Sequence, residues 1–258
     1  MSSILFEVKN GIAYITLNRP EKFNSFNREM ALLMQERLAE CAASTVIRCV
    51  YITGAGKAFS AGQDLSELTG DEPMGIDRIL SEHYNPIISA IRNLNKPVVA
   101  AVNAVAAGAG ANIALCCDIV VAAQSASFIQ AFSKIGLIPD SGGTYFLPRL
   151  IGWQKASAIM MLADKISAAE AERNGMIYKM FADEVFGEES TRIAETLAQM
   201  PTQGLALTKK ALNFSFVSSL NEQLQREDDL QRKAAATYDY NEGVQAFLEK
   251  RKPVFKGE

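Results

Sequence analysis

Asp140 lies in the turn-rich segment 136–143, GLIPDSGG, between two apolar stretches. Upstream, residues 106–112 read AAGAGAN, a run of small residues where a predicted strand gives way to a helix. Small residues let the backbone approach a ligand closely, and a helix start offers free N–H groups. A lone carboxylate beside such donors suits proton transfer next to a carbonyl. The donors stabilise the oxygen that gains charge as the neighbouring C–H proton leaves. A second glycine-bearing loop, GAGKAFSAGQD at 54–64, follows another predicted strand. The plainer alternatives are a helix cap for Asp140 and tight turns for the glycine loops. Residue type and spacing leave both readings open.

Other chemistries are excluded more firmly. Neither loop carries Gly-Lys-Ser/Thr, and the glycines at 108 and 110 are followed by Ala-Asn-Ile, so neither is a phosphate or dinucleotide loop. The chain has one histidine, His83, in a helix-like stretch at 76–94 where a surface or pocket-wall position is expected. Any catalytic triad would have to use it, and a His-rich metal site is impossible. The four cysteines, Cys41, Cys49, Cys116 and Cys117, have no metal or redox spacing. They read as packed, reduced thiols of a cytoplasmic protein, and no metal is expected. A net charge of −3 without a basic block argues against a nucleic-acid partner. The longest apolar run, 98–117, is broken by Asn103, Gly108, Gly110 and Asn112, so no membrane span is expected. The first residues lack the basic-then-apolar pattern of a signal peptide.

The elements that must carry these residues alternate. Stretches 4–8 and 12–17 flank Asn10-Gly11 as a hairpin, and Asn27 caps a helix through 41. Strands follow at 46–53, 98–102 and 118–123, with helices at 76–94 and from 108. Repeated strand–loop–helix units predict an α/β fold with mostly parallel strands. Beyond 143 the pattern turns helical, at 153–162, 168–174, 184–199, 202–217, 220–236 and 240–250. Strand character there is nearly confined to 177–181.

Several ordered motifs resemble the enoyl-CoA hydratase/isomerase, or crotonase, superfamily. They are LNRPEKFN at 17–24, TGAGKAFSAGQDL at 53–65, KPVVAAVN at 96–103, AAGAGANIALCCD at 106–118, GLIPDSGGT at 136–144 and YNEGVQAFLEKRKPVF at 240–255. The resemblance spans essentially the whole chain. It implies a crotonase-like ββα spiral core over 1–200 and a helical C-terminal oligomerisation region over 201–258. It also implies an acyl-CoA thioester substrate and a homotrimer or dimer of trimers. No cofactor is implied, coenzyme A being part of the substrate. By the family pattern, the thioester oxygen would lie between the N–H groups of Gln63 and Ala109. CoA would run past Lys22, Phe23, Ala61, Gly62, Asp64 and Leu65, with Lys252 and Phe255 at the nucleotide end. Gly108, Asn112, Phe132 and Tyr84 complete the implied substrate site.

The departures from the family pattern are informative. The family's hydratases use two glutamates to hold and activate water, and the flanking residues align those positions with Asn112 and Phe132. Neither can take a proton from water, so two-carboxylate hydration is not expected. Asp140 instead matches a position used by isomerases of the family. The resemblance is strongest to the branch that isomerises ring-1,2-epoxyphenylacetyl-CoA, through YNP at 84–86 and AFSKIGLIPDSGG at 131–143. The implied chemistry is removal of a C2 proton from a 3-enoyl-CoA and its return at C4, or rearrangement of the ring epoxide to an oxepin. Phe132, Ile138 and Phe146 are expected to desolvate Asp140 and raise its pKa. Residues that select the acyl group are expected around 72–84. Three alternatives stand beside this: a general enoyl-CoA isomerase or hydratase-like enzyme of fatty-acid oxidation, Asp140 as covalent nucleophile, and a non-catalytic acyl-CoA-binding protein.

Overall fold

The computed structural model describes residues 2–69 and 73–258. The strands are β1 (Ile4–Lys9), β2 (Ile12–Leu17), β3 (Cys49–Gly54), β4 (Ala58–Ser60), β5 (Val98–Val102), β6 (Val105–Ala107), β7 (Ile119–Ala123), β8 (Ser127–Ile129), β9 (Lys165–Ser167) and β10 (Lys179–Phe181). The helices are α1 (Arg28–Ala43), α2 (Ser66–Thr69), α3 (Ile76–Arg78), α4 (Asn85–Asn93), α5 (Ala109–Leu115), α6 (Gly143–Ile151), α7 (Trp153–Leu162), α8 (Ala168–Arg173), α9 (Asp183–Gln199), α10 (Thr202–Ser215), α11 (Leu220–Ala235) and α12 (Tyr238–Leu248).

Asn10 and Gly11 both take positive φ (52° and 76°), the backbone that a two-residue hairpin between β1 and β2 requires. From β2 onward the main sheet is parallel, in the order β1-β2-β3-β5-β7-β10. Every residue of β5 is buried, as parallel strands covered on both faces demand. Helix α1, capped by the Asn27 side chain on Met30 N, buries Met30, Met34 and Leu38 in the core. Helix α9 packs against β3, where Tyr51 Oη and Ser190 Oγ lie 2.8 Å apart.

A second sheet, β4-β6-β8-β9, is built from three-residue strands. Each of β3, β5 and β7 is followed by one of its strands and then by helix. These ββα units wind as a spiral and set the β4, β6 and β8 exits side by side. The expected α/β class and parallel main sheet are present. The strand expected at 46–53 starts at Cys49, and all four small-sheet strands fall outside the expected strands and helices, β4 within the expected loop 54–64. The helix expected at 76–94 is continuous but contains a π-helical turn at Ile79–Tyr84 between α3 and α4. His83 sits in that turn with 0% exposure, not at the surface or on a pocket wall. Helix α1 buries it, with its Nε2 3.4 Å from the Arg28 guanidinium.

Candidate active site

Residues 60–64, after β4, form the first wall. Phe26 N donates to Gly62 O at 2.7 Å and Asp64 N donates to Phe26 O at 2.8 Å. These bonds flank Gln63, so the Gln63 N–H points away from Phe26, as alternate strand positions must. A Cβ on Gly62 would sit 2.9 Å from Ala107 O and 3.3 Å from Ala109 N, so only glycine lets the two loops meet this closely. Ala109 is the first residue of α5, where an N–H has no intrahelical acceptor. Among the described residues neither the Gln63 nor the Ala109 N–H has an acceptor. The Gln63 side chain is clamped, accepting from Tyr84 Oη at 2.9 Å and donating to Glu67 Oε2 at 2.9 Å.

Gln63 and Ala109 both line a cavity of about 500 Å³. Leu68, Ile76, Ile79, Leu80 and Tyr84 form one side, and Phe132, Ile135, Leu137 and Ile138 the other. Among the described residues, Asp140 is the one carboxylate on its wall. Burial raises the Asp140 carboxyl above its ordinary value, partly offset by the Ser141 hydroxyl, which donates to Oδ1 at 2.8 Å. The Asp140 side chain does not cap α6, whose N-cap is Gly142. Tyr84 is almost fully buried, and burial, then the charges of Asp140 and Glu67, push its phenol well above the usual range. No cluster of three or more metal-ligating side chains occurs among the described residues.

The family model described as enoyl-CoA hydratase/isomerase matches residues 7–258. The chain belongs to this family. A 1,2-epoxyphenylacetyl-CoA isomerase of Escherichia coli is 46% identical, over 100% of this chain and 99% of that protein. A Rhodobacter capsulatus protein described as a probable enoyl-CoA hydratase is 43% identical, over 99% and 98%. The solved structure of an enoyl-CoA hydratase from Bacillus anthracis superposes with a TM-score of 0.93 at 33% identity, covering 99% of this chain and 100% of that one. The fold is therefore the crotonase fold. Relatives carry both isomerase and hydratase names, so the reaction has to be argued from the site.

The structure brings Gln63, Ala109, Asp140, Tyr84, Phe132, Gly108, Ala61, Gly62 and Leu65 to this one cavity. Phe23 stands beside it, its carbonyl accepting from Ala61 N at 2.9 Å, and exposed Lys22 precedes it. Asp64 is turned away: it pairs with Arg19 at 2.8 Å and accepts from Ser66. Burial pushes its carboxyl up, but those two partners outweigh it and leave it below the ordinary value. Asn112 lies behind the wall, bound to the Asp140 carbonyl. Lys252 and Phe255 belong to the C-terminal tail and are not on the cavity wall; Phe255 lies over Gly243 of α12. Phe146 is likewise off the wall and stands under the Arg92 guanidinium, 5.6 Å from its ring centre. Of the acyl-selecting stretch expected at 72–84, Glu72 lies outside the described residues, while Ile76, Ile79, Leu80 and Tyr84 line the cavity.

Sequence reasoning did not single out Glu67, Ser141 and Gln130. The first two hold Gln63 and Asp140 directly, and Gln130 acts through Asn112. The one available signal was the four-residue separation of Gln63 and Glu67, a short reach that here joins the bridge at Gln63 to α2.

Proposed function

We propose that this chain is an acyl-CoA isomerase in which Asp140 moves a proton on one face of a thioester held by the Gln63 and Ala109 N–H groups. The observation that carries this reading is that, among the described residues, one carboxylate lies on the wall of a cavity also lined by Gln63 and Ala109, whose backbone N–H groups have no acceptor there. With a 3-enoyl-CoA, Asp140 takes a C2 proton, charge spreads into the thioester oxygen between the two N–H groups, and the proton returns at C4. Reactant and product differ only in the double-bond position, so one carboxylate suffices and ends in its starting state. Burial of Asp140 supports the role, because a desolvated carboxylate is a stronger base.

For the acyl group we propose ring-1,2-epoxyphenylacetyl-CoA, rearranged to the oxepin thioester. The name and 46% identity of the Escherichia coli relative support this, as do the largely apolar walls. Lys22 and Phe23 would flank the CoA entrance. The helical segment 201–258 would mediate assembly into a homotrimer or dimer of trimers. The second reading, hydration, draws on the Rhodobacter capsulatus relative. Against it, the two positions that the family resemblance matches to the hydratases' glutamates are Phe132, on the wall, and Asn112, behind it.

The test is product analysis of the purified protein and its Asp140→Asn variant with 3-hexenoyl-CoA, crotonyl-CoA and the ring-epoxide thioester. Isomerisation that depends on Asp140, with little hydration of crotonyl-CoA, is the expected result. Rapid hydration of crotonyl-CoA would overturn the isomerase reading. Binding without turnover of any substrate would move the assignment to an acyl-CoA-binding protein.

A further inference from the structure

The partners of Asn112 give its amide a definite task. It is fully buried in α5. Its Nδ2 donates to the main-chain carbonyl of Asp140 at 2.8 Å, and its Oδ1 accepts from Gln130 Nε2 at 2.7 Å. Gln130 is fully buried too and is not on the cavity wall. The same Asp140 carbonyl accepts from Gly143 N at 2.8 Å. A Cβ on Gly143 would lie 2.4 Å from Asn112 Nδ2, so the first turn of α6 closes over the amide only because residue 143 is glycine.

We propose that Asn112, oriented by Gln130, is a positioning residue that fixes the main chain of Asp140 and so the place of its carboxylate in the cavity. The inference rests on the reading of Asp140 as the proton shuttle. A carbonyl oxygen only accepts, so Asn112 must turn its NH₂ toward Asp140. That leaves Oδ1 facing Gln130, which must then offer its own NH₂. The orientation of both amides thus follows from one fixed acceptor. An ionised glutamate at position 112 has no proton to give the Asp140 carbonyl and would set a negative charge against it. The amide therefore suits the Asp140 carbonyl as a carboxylate at the same position would not. Holding the carbonyl leaves the carboxylate only its own side-chain torsions, and the Ser141 hydroxyl on Oδ1 restrains those.

Gln130 acts only through Asn112, which makes the inference testable without touching the substrate. Variants Asn112→Leu, Gln130→Met and the double variant would be assayed for 3-hexenoyl-CoA isomerisation beside Asp140→Asn, with thermal melting to confirm folding. For the single variants kcat should fall about 10- to 100-fold with KM changed less than about threefold, the scale expected when a reacting group is misplaced by about an ångström. The acidic limb of kcat should move to lower pH as the released Asp140 gains water. The double variant should be no worse than Asn112→Leu alone, because the two residues act in series. A wild-type kcat in Asn112→Leu, or a loss with an unmoved acidic limb, overturns the proposal. Should Asn112→Leu not fold, Gln130→Met decides by the same two readouts. If wild type is no faster than Asp140→Asn, the proposed function itself fails. If Asp140→Asn is inactive while Asn112→Leu and Gln130→Met match wild type, the function stands and the positioning role falls.

Discussion

Burial lifts the Asp140 carboxyl above the ordinary aspartate value of about 3.9, and two opposite consequences follow. As a base Asp140 must be ionised, so kcat should be lost as pH falls through the raised folded-state pKa, and the acidic limb should lie above the ordinary aspartate value. A kcat profile with its limb at or below the ordinary value would contradict the buried base. Stability has the reverse sign. The folded state binds this proton more tightly than the unfolded chain, so the favourable contribution is complete below the unfolded pKa and is lost as pH rises through the folded one. Asp140→Asn should therefore melt at a higher temperature than wild type at neutral pH, with the gap closing in acid. Scanning calorimetry at several pH values measures both. The two N–H groups proposed to hold the thioester oxygen allow a separate test. Ala109 opens α5, where proline is tolerated because that N–H has no intrahelical acceptor. Ala109→Pro should keep the fold and remove one donor, lowering kcat about 100- to 1,000-fold. A kcat within tenfold of wild type would take Ala109 out of the oxygen site. At this scale residue type alone marked Asp140 and its turn as a candidate with helix capping left open, which Gly142 at the N-cap of α6 removes, while the proposed roles of Gln63 and Ala109 came through the resemblance. The Asn112–Gln130 pair was not visible, because its members are 18 residues apart and meet only when α5 packs beside the 131–135 turn.

Elements set by local chemistry were legible, and those set by distant partners were not. The Asn10-Gly11 hairpin and the Asn27 cap carry their own signals, and α7 begins and ends where its spacing predicts. Three-residue strands such as β6, β8 and β9 are too short to show a period and exist because a neighbouring strand is there to bond. The π turn before α4 leaves no mark in the pattern, yet it turns Ile79, His83 and Tyr84 inward together. The junction between the sheet core and the C-terminal helices also depends on long-range contacts. Lys209 of α10 reaches Asp118 Oδ2 at 2.8 Å and the Ile91 carbonyl at 2.7 Å, with its side chain only 6% exposed. Arg92 holds the other Asp118 oxygen at 3.2 Å. Removing one member of a buried pair strands the other, so Lys209→Met should destabilise the protein by about 3 kcal/mol in urea unfolding. Asp118 keeps Arg92, which places the loss at the low end of such cases. An unchanged midpoint would mean that α10 is held by its apolar face alone.

On the whole molecule, large apolar side chains stay exposed at several places among the described residues, two of them on α7 and α12. Trp153, Met161 and Leu162 of α7 are 74%, 73% and 65% exposed, and Phe247 and Leu248 of α12 are 83% and 67% exposed. Large exposed side chains grouped on one element mark contact surfaces more often than chance. A twofold dimer needs only one self-complementary patch, whereas a closed ring joins two different patches on every chain. Exposed apolar groups on more than one element are compatible with the ring of the proposed trimer or dimer of trimers. Light scattering should give about three or six chain masses, and Trp153→Glu or Phe247→Asp should lower that value without unfolding the chain. A monomeric wild type would remove the assembly from the account. The assembly also bears on the site. Helix α7 packs on the 131–135 turn, which carries Phe132 into the cavity, and Ile138 of the same wall is 80% exposed. A neighbour seated on α7 would brace that turn and exclude water from the wall next to Asp140. Dissociated variants should then lose activity together with mass, and their acidic limb should fall toward the ordinary aspartate value. If turnover and pH profile are unchanged in the dissociated chain, each subunit carries a complete site and the ring serves stability alone.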